Sequence, residues 1–238
     1  RGILSTIYIR GNNKNFIRYG SIIEFIVSID PQFKISQGIE EVFLRLNGEI
    51  DSSYSANSYA SLFYFLSNHY KPKIISELGV LGCYSIIPLA LGALQNNRVS
   101  SINGYDLFEA YSYKSFSFND ALQRIDSYGL KDSINLEKFD VYSEGFIKDT
   151  LKVSDLTHID LSHDGEMYER VLSSDIKENS IVIMEGGSIE RDNVEWMKAY
   201  DANKIHPIIE KYSKIRNDLM ISVIEPMPSV TIIQSINK

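Results

Sequence analysis

The sequence has a single cysteine, Cys83, among its 238 residues. One cysteine can form neither an internal disulfide nor a zinc site built from several thiolates. Free thiols are typical of proteins in reducing compartments. We therefore expect a cytoplasmic protein whose fold does not depend on cross-links.

The sequence also lacks a long apolar run and an excess of basic residues. No stretch reaches the roughly 18 to 20 apolar residues that a membrane-spanning helix needs, and the apolar segment 86–94 contains Pro88 and Gly92. The formal net charge is −7, and lysines and arginines are scattered along the chain. A nucleic-acid-binding surface requires clustered positive charge. We expect neither nucleic acid nor a membrane as a partner.

An initiator methionine is missing as well, because the chain begins at Arg1. No signal-peptide pattern follows this residue. We interpret the chain as a processed or excised piece of a longer protein. Its expected assembly is either a homo-oligomer or a place in a larger multidomain chain.

The hydrophobic pattern of the chain changes near residue 72. Before it, the segments 20–30, 38–50 and 58–70 carry apolar residues three and four positions apart and end at turn-forming residues. This spacing predicts helices. We predict an N-terminal helical extension over residues 1–71, in the same domain as the rest of the chain.

Residues 72–238 alternate short β-rich runs with helical segments. The β-rich runs are 73–80, 100–108, 134–139, 156–162 and 180–185. Alternation of this kind predicts βαβ units and an α/β fold with a mostly parallel sheet. Two further strand-like runs near the end are joined only by "EPMP", which is too short for a parallel crossover, so this pair is predicted to be antiparallel.

A glycine-containing loop follows the first of these strands, in "KIISELGVLGCYS", residues 73–85. Gly79 and Gly82 form the turn, and Ser85 is predicted to cap the next helix, with Pro88 in its first turn. In open α/β sheets such a loop offers free backbone N–H groups to a ligand. The loop predicts a nucleotide-like ligand. The alternative is that the glycines serve only tight packing of the strand against the helix.

Two acidic residues follow the next two strands. Asp106 ends the second strand, where a carboxylate can accept hydrogen bonds from ribose hydroxyls. The alternative is a solvated aspartate at a strand end. Asp140 follows the third strand and either faces an adenine amino group or caps the helix predicted to begin near Phe146.

The stretch "ELGVLGCYS" resembles the first motif of class I S-adenosylmethionine-dependent methyltransferases, acidic-x-Gly-x-x-x-Gly-x-Ser. Cys83 stands where the second glycine of that motif is usual, next to Gly82. The resemblance covers about residues 70–238. It implies a Rossmann-like, doubly wound, mostly parallel seven-stranded sheet with an antiparallel C-terminal hairpin. The reversed last strand distinguishes this family from nicotinamide-dependent dehydrogenases.

The same resemblance implies S-adenosylmethionine as the cofactor. The motif wraps the methionine and ribose parts of the cofactor in that family. The positions of this sequence that match the family's cofactor contacts are Glu77 near the methionine amino group, Gly79, Gly82 and Ser85 in the loop, Asp106 at the ribose and Asp140 in the adenine region.

The stretch 156–187 resembles small-molecule O-methyltransferases related to macrolide-sugar methyltransferases and cephalosporin-hydroxylase-like proteins. Asp160 ends a strand, His163 follows three residues later, and Glu185 closes the next strand. The resemblance implies that Asp160 and Glu185 hold a hard metal ion such as Mg²⁺. It also implies that His163, with Asp160, removes the proton of the attacking hydroxyl.

This stretch departs from the subgroup at one position. The subgroup commonly has two adjacent acids after the fifth strand, whereas Gly186 follows Glu185 here and removes a ligand. Asp164 is either a substitute ligand or the cap of the following helix. His158 lies within a strand run and is predicted to be a buried histidine. Arg191 is expected on the rim, where it could meet a carboxylate or phosphate of the acceptor.

The predicted function is transfer of a methyl group from S-adenosylmethionine to a hydroxyl of a small molecule. The expected acceptor is a sugar or a polyketide or peptide natural product. Two alternatives remain at the level of the sequence. One is an NAD-dependent oxidoreductase, and the other is a non-catalytic cofactor-binding module of a multidomain assembly.

Overall fold

A computed structural model describes residues 9–10, 15–112 and 116–236 of the chain, which form one mixed sheet flanked by helices. In these residues the strands are β1 (Ile9–Arg10), β2 (Phe16–Tyr19), β3 (Ile74–Leu78), β4 (Ser101–Asp106), β5 (Asn135–Lys138), β6 (Leu156–Ile159), β7 (Ile181–Glu185), β8 (Leu219–Ile224) and β9 (Val230–Ser235). The helices are α1 (Ile22–Ile29), α2 (Gln37–Glu49), α3 (Ala60–Tyr70), α4 (Ile86–Leu94), α5 (Phe118–Ser127), α6 (Phe146–Val153), α7 (Gly165–Leu172), α8 (Glu195–Ala199) and α9 (His206–Ile215).

The strands lie in the order β1-β2-β8-β9-β7-β6-β3-β4-β5. The part of the sheet from β8 to β5 contains seven strands. In this part β9 runs antiparallel to both of its neighbours, β8 and β7, and the remaining neighbouring strands are parallel to one another. The predicted α/β fold, with its mostly parallel sheet and antiparallel C-terminal hairpin, is confirmed. Among these seven strands only β9 is reversed, and it lies between β7 and β8.

The N-terminal extension differs from the prediction in one respect. Its three predicted helices are present as α1, α2 and α3, but the extension also adds β1 and β2 to the sheet, which therefore has nine strands in the described residues instead of seven. β2 pairs parallel with β8, with Phe16 opposite Ile221. This pairing covers an otherwise open strand edge. Four residues are too short a run to reveal a strand period in the sequence.

The two faces of the sheet bury two hydrophobic clusters, as the alternation along β7 shows. Ile181 and Ile183 face one cluster, which helices α1 to α5 complete, and Val182 and Met184 face the other, with α6, α7 and α9. On the first face α3 packs against α4 at Gly92, where an added Cβ would lie 2.2 Å from Ser67 Oγ. The extension therefore shares a continuous core with the remainder of the chain. The division of the chain at residue 71 stays a prediction.

The parallel strands bring their carboxyl ends to one edge of the sheet. The loops after β3, β4, β6 and β7 consequently lie together, although they come from positions spread over more than 100 residues. Ligands bind at this edge in open α/β sheets. None of the described helices has both the length and the apolar character needed to cross a membrane.

Candidate active site

The glycine loop after β3 has a backbone that other residues would strain. Gly79 has φ of +87°, and a Cβ at this position would lie 2.1 Å from the carbonyl oxygen of Asp160. Only glycine lets the loops after β3 and β6 approach so closely. Cys83, at the position where the family motif usually has glycine, also has a positive φ of 68°. The loop thus keeps a glycine-like conformation with a buried cysteine, whose thiol pKa is raised by burial.

Asp106 lies at the end of β4, as predicted, and lines the cavity at this edge. Its Oδ2 accepts hydrogen bonds from the backbone N–H groups of Val80 and Leu81, at 2.7 and 2.8 Å. Its Oδ1 accepts one from Phe108 N at 2.7 Å. A carboxylate has about four acceptor sites, so one remains for a ligand. Asp106 therefore holds the glycine loop in place as well as lining the cavity, which the sequence did not reveal.

Glu77 and Ser85 lie below the loop, away from solvent. Ser85 occupies the cap position of α4, but its Oγ donates to Glu77 Oε1 at 2.7 Å and makes no capping hydrogen bond. The predicted cap is therefore wrong at the level of the side chain. Glu77 Oε2 lies 3.4 Å from His158 Nδ1, and both side chains are fully buried. Burial raises the pKa of Glu77. His158 is the buried histidine that the sequence predicted.

Gly82 and Asp140 were both predicted to contact the cofactor. Neither is among the residues that line the cavity, whereas Gly79 and Asp106 are. The carbonyl of Gly82 accepts from Arg124 Nη1 at 2.9 Å, so this residue packs against α5. Asp140 is exposed and accepts from Tyr142 N at 3.0 Å. The cap residue of α6 is Gly145, which excludes the alternative in which Asp140 caps this helix. The neighbouring Val141 and Tyr142 line the cavity instead.

The three residues predicted around the reaction centre lie together. Asp160 follows β6 and Glu185 ends β7, and these strands are direct neighbours in the sheet. Asp160, His163 and Glu185 each place one ligand atom within 4.8 Å of the others. His163 Nε2 lies 3.1 Å from Asp160 Oδ1, and each of these two side chains is about one quarter exposed. The group lines a cavity of about 330 Å³ that also reaches Gly79 and Asp106, a volume typical of small-molecule sites.

The charges at this cluster shift the pKa values of its members. Burial acts to lower the pKa of His163, but the negative charges of Glu185 and Asp160 outweigh it and raise the pKa above its ordinary value. Burial acts to raise the pKa of Asp160, but the hydrogen bond and charge of His163 hold it below its usual range. The ionised Asp160 carboxylate therefore stabilises the imidazolium form of His163. The raised pKa also makes the neutral imidazole a stronger base, so His163 in its neutral form is suited to accept a proton.

Arg191 was predicted on the rim but is buried. Its Nη2 donates to Glu185 Oε1 at 3.0 Å, and its guanidinium lies 4.6 Å from the centre of the Trp196 ring. The side chain is 3% exposed, and that of Glu185 is 8% exposed. Arg191 therefore neutralises Glu185 from below and is not placed at an acceptor anion. The sequence could not show this, because the loop between the two residues has no regular period.

Replacing Arg191 with methionine is expected to destabilise the protein by about 3 to 5 kcal/mol, since it leaves the Glu185 carboxylate buried without its cation. The measurement is the free energy of unfolding from urea denaturation. Lys211→Met is the matched control, because Lys211 and its partner Glu169 are about half exposed and water solvates the charge that remains. A loss as small as that of the control would contradict the buried pairing, and adding Glu185→Gln to Arg191→Met should recover part of the loss.

The N-terminal extension contributes two residues that sequence reasoning missed. They lie on the 3₁₀ turn Ser53–Asn57, between α2 and α3. Ser53 Oγ donates to Glu185 Oε2 at 2.9 Å. The Tyr54 hydroxyl lies 3.3 Å from His158 Nε2. The only signal in the sequence is a short polar segment with several hydroxyls between two helices.

The donor set at the cluster fits a divalent metal ion in type. Two carboxylates and an imidazole are ligands that Mg²⁺ or Mn²⁺ accepts, with water or substrate oxygens in the remaining positions. Gly186 supplies no side chain. Asp164 accepts from Met167 N at 3.0 Å and caps α7, so it serves as a cap and not as a substitute ligand. The two oxygens of Glu185 already accept from Arg191 and Ser53, so an ion would share this carboxylate with them.

Comparisons with known proteins identify the fold. No protein family matches the sequence, and no characterised protein matches it significantly. Solved structures do match. The SAH-bound methyltransferase PaMTH1 of Podospora anserina has a TM-score of 0.58 at 17% identity, covering 90% of this chain and 93% of that one. The O-methyltransferase of Bacillus cereus in complex with SAH has a TM-score of 0.54 at 16% identity, covering 91% and 98%.

A third match is TomG of Streptomyces achromogenes, an O-methyltransferase involved in tomaymycin synthesis and solved with SAM. It has a TM-score of 0.54 at 12% identity, covering 90% of this chain and 95% of that one. The predicted fold, that of class I S-adenosylmethionine-dependent methyltransferases, is confirmed. The similarity extends over the N-terminal extension as well as over the sheet.

Proposed function

We propose that the protein is an S-adenosylmethionine-dependent O-methyltransferase that acts on a hydroxyl of a small molecule, such as a sugar or a polyketide or peptide natural product. The observation that carries this proposal is the Asp160–His163 pair, which lines the same cavity as the glycine loop at Gly79. A histidine held by a carboxylate is suited to remove a proton. The fold shared with SAM- and SAH-bound proteins supports the choice of cofactor.

The cofactor is proposed to lie along the edge formed by the loops after β3, β4 and β5. Gly79 lines the cavity where its loop meets the loop after β6, and Asp106 keeps one acceptor site for a ribose hydroxyl. Val141 and Tyr142 are better placed than Asp140 to contact the adenine, because both line the cavity and Asp140 does not. Glu77 and Ser85 support the loop from below and act on the cofactor only through it.

In the proposed reaction His163 is the base. Asp160 faces Nε2, so Nδ1 is the nitrogen left to accept the proton of the acceptor hydroxyl. The oxygen attacks the methyl carbon in line, the bond from that carbon to sulfur breaks, and S-adenosylhomocysteine leaves with the electron pair. Asp160 and Glu185 stabilise the imidazolium that forms. Positioning the oxygen against the methyl group supplies much of the rate acceleration.

A divalent ion is a further part of the proposal. Asp160 and Glu185 would hold it, with His163 beside it. Such an ion lowers the pKa of a hydroxyl that binds to it. The residues of the chain would still orient the acceptor and take up its proton. The net attraction for the ion is reduced by Arg191, whose charge lies 3.0 Å from Glu185 Oε1.

The proposal is tested by isothermal titration calorimetry with S-adenosylhomocysteine, NAD⁺ and Mg²⁺, followed by a turnover assay. We expect binding of S-adenosylhomocysteine and none of NAD⁺, because the cavity and the strand order match the methyltransferase fold. The assay follows S-adenosylhomocysteine production with hydroxylated sugars, phenols and peptides, with Mg²⁺ or with a chelator. Absence of binding by a folded sample would refute the proposal. Binding without turnover on any acceptor would favour the non-catalytic module.

A further inference from the structure

The N-terminal extension reaches one of the two carboxylates near His163, through Ser53 on the 3₁₀ turn. Ser53 Oγ donates to Glu185 Oε2 at 2.9 Å. We propose that Ser53 is a positioning residue that holds Glu185 and so leaves Asp160 as the carboxylate that pairs with His163. The inference rests on the proposed function, because it assigns a residue that orients the proposed base.

His163 has two carboxylates within reach, since its ligand atom and those of Asp160 and Glu185 all lie within 4.8 Å. Its Nε2 is nevertheless paired with Asp160 Oδ1, at 3.1 Å. Both oxygens of Glu185 accept from other donors, Oε2 from Ser53 and Oε1 from Arg191. These donors keep Glu185 turned toward them. Without Ser53, Oε2 is free to rotate and to compete with Asp160 for the imidazole N–H.

Tyr54 is the neighbour of Ser53 on the turn and holds the turn in the core. Its ring is 1% exposed and is fixed by Phe63, with ring centres 5.1 Å apart in an edge-to-face contact, and by Tyr84, with centres 6.0 Å apart. The hydroxyl lies 3.3 Å from His158 Nε2. These contacts fix the backbone of the turn and therefore the position of the Ser53 hydroxyl.

The turn that carries these residues is itself anchored. Tyr59 directly follows Ser58, the residue that ends the turn, and its hydroxyl donates to the carbonyl of Pro226 at 2.5 Å; Asn57 donates to that of Met227. Both carbonyls belong to the loop between β8 and β9. The 3₁₀ turn is thus fixed to the reversed hairpin, and Ser53 and Tyr54 are presented to the strand ends from a rigid support. Removing a hydrogen bond that orients a functional carboxylate commonly lowers activity by about ten- to hundredfold.

The chain offers a matched control for Ser53. Ser55 lies on the same turn, and its Oγ donates to the backbone carbonyl of Ser52 at 2.7 Å, so Ser55→Ala removes a hydroxyl without touching a carboxylate. The test variant is Ser53→Ala.

The first readout is the ¹⁵N-edited NMR spectrum of the imidazole rings, recorded with and without S-adenosylhomocysteine. We expect the neutral His163 ring to carry its proton on Nε2 in the parent protein, and we expect its ring signals to shift or broaden in Ser53→Ala. The signals should stay unchanged in Ser55→Ala. Unchanged His163 signals in Ser53→Ala, or an equal change in Ser55→Ala, would overturn the proposal. This readout needs no acceptor, so it stays decisive if the proposed function fails.

The second readout separates positioning from general damage. With an acceptor found in the turnover assay, kcat should fall roughly tenfold to a hundredfold in Ser53→Ala and stay unchanged in Ser55→Ala. The dissociation constant of S-adenosylhomocysteine should remain within about twofold of the parent value, because the Ser53 hydroxyl donates to Glu185 and not to the glycine loop. A parallel loss of affinity and kcat would contradict positioning. If the parent protein binds no S-adenosylhomocysteine, the proposed function is refuted. The NMR result then still tests whether the turn orients His163.

Discussion

His163→Ala is expected to lower kcat by about 10²- to 10⁴-fold, which is the range that general-base catalysis contributes. The physical reason is that His163 faces the cavity and is held by Asp160 Oδ1 at 3.1 Å, while no other described histidine shares that cavity wall. The measurement is the initial rate of S-adenosylhomocysteine formation at saturating acceptor and cofactor. The affinity for S-adenosylhomocysteine, measured by calorimetry, should stay within about twofold.

The matched control is His69→Ala. His69 lies at the end of α3, about one third exposed and 3.8 Å from a carboxylate oxygen of Asp30, far along the chain from the strand-end cluster. This substitution should leave kcat unchanged. A parent-like rate in His163→Ala would remove His163 as the base and leave its role structural. Equal losses in the two variants would trace the effect to folding.

Gly79→Ala is expected to weaken binding of S-adenosylhomocysteine at least tenfold and to destabilise the fold by about 2 to 5 kcal/mol. A left-handed conformation costs a non-glycine residue about 1 to 2 kcal/mol, and overpacking a closed space costs about 1 to 3 kcal/mol. Both apply here, because φ is +87° and the new Cβ would lie 2.1 Å from Asp160 O. Moving Asp160 to relieve this contact would also disturb His163. Calorimetry and urea denaturation provide the two measurements.

Gly129→Ala isolates the backbone contribution. Gly129 has a similar φ of +71°, but an added Cβ there would meet nothing within 4 Å. We expect a loss of about 1 to 2 kcal/mol, without an effect on ligand affinity. A Gly79→Ala variant that matched Gly129→Ala in stability and still bound S-adenosylhomocysteine normally would mean that the loops after β3 and β6 need not touch.

The fold followed from the sequence because its signals are local. Alternating strand and helix patterns located β3 to β7 with errors of only a few residues, and the short link between β8 and β9, residues 225–229, required an antiparallel pair. The short strand β2 escaped detection because its place depends on pairing with β8, some 200 residues later. A pairing of this kind is a property of the closed sheet and leaves no period in the sequence.

The site was predicted only in part, for the same reason. Asp160, His163 and Glu185 come together because each follows or ends one of two neighbouring strands. Strand ends can be located in the sequence, so this grouping could be predicted. The partners of these residues could not be predicted. Arg191 was expected to meet an acceptor anion and instead pairs with Glu185, and Ser85 was expected to cap a helix and instead donates to Glu77.

The sequence by itself determined the α/β architecture, the edge of the sheet where a ligand lies, and the acidic and imidazole groups found there. These features depend on chain direction and strand ends, which hydrophobic periodicity and turn residues encode locally. Only the tertiary structure decided which donor each carboxylate meets. Ser53 and Arg191 reach the cluster from a distant turn and from a loop without a period, and a hydrogen bond depends on distances of a few tenths of an ångström that only packing in three dimensions sets.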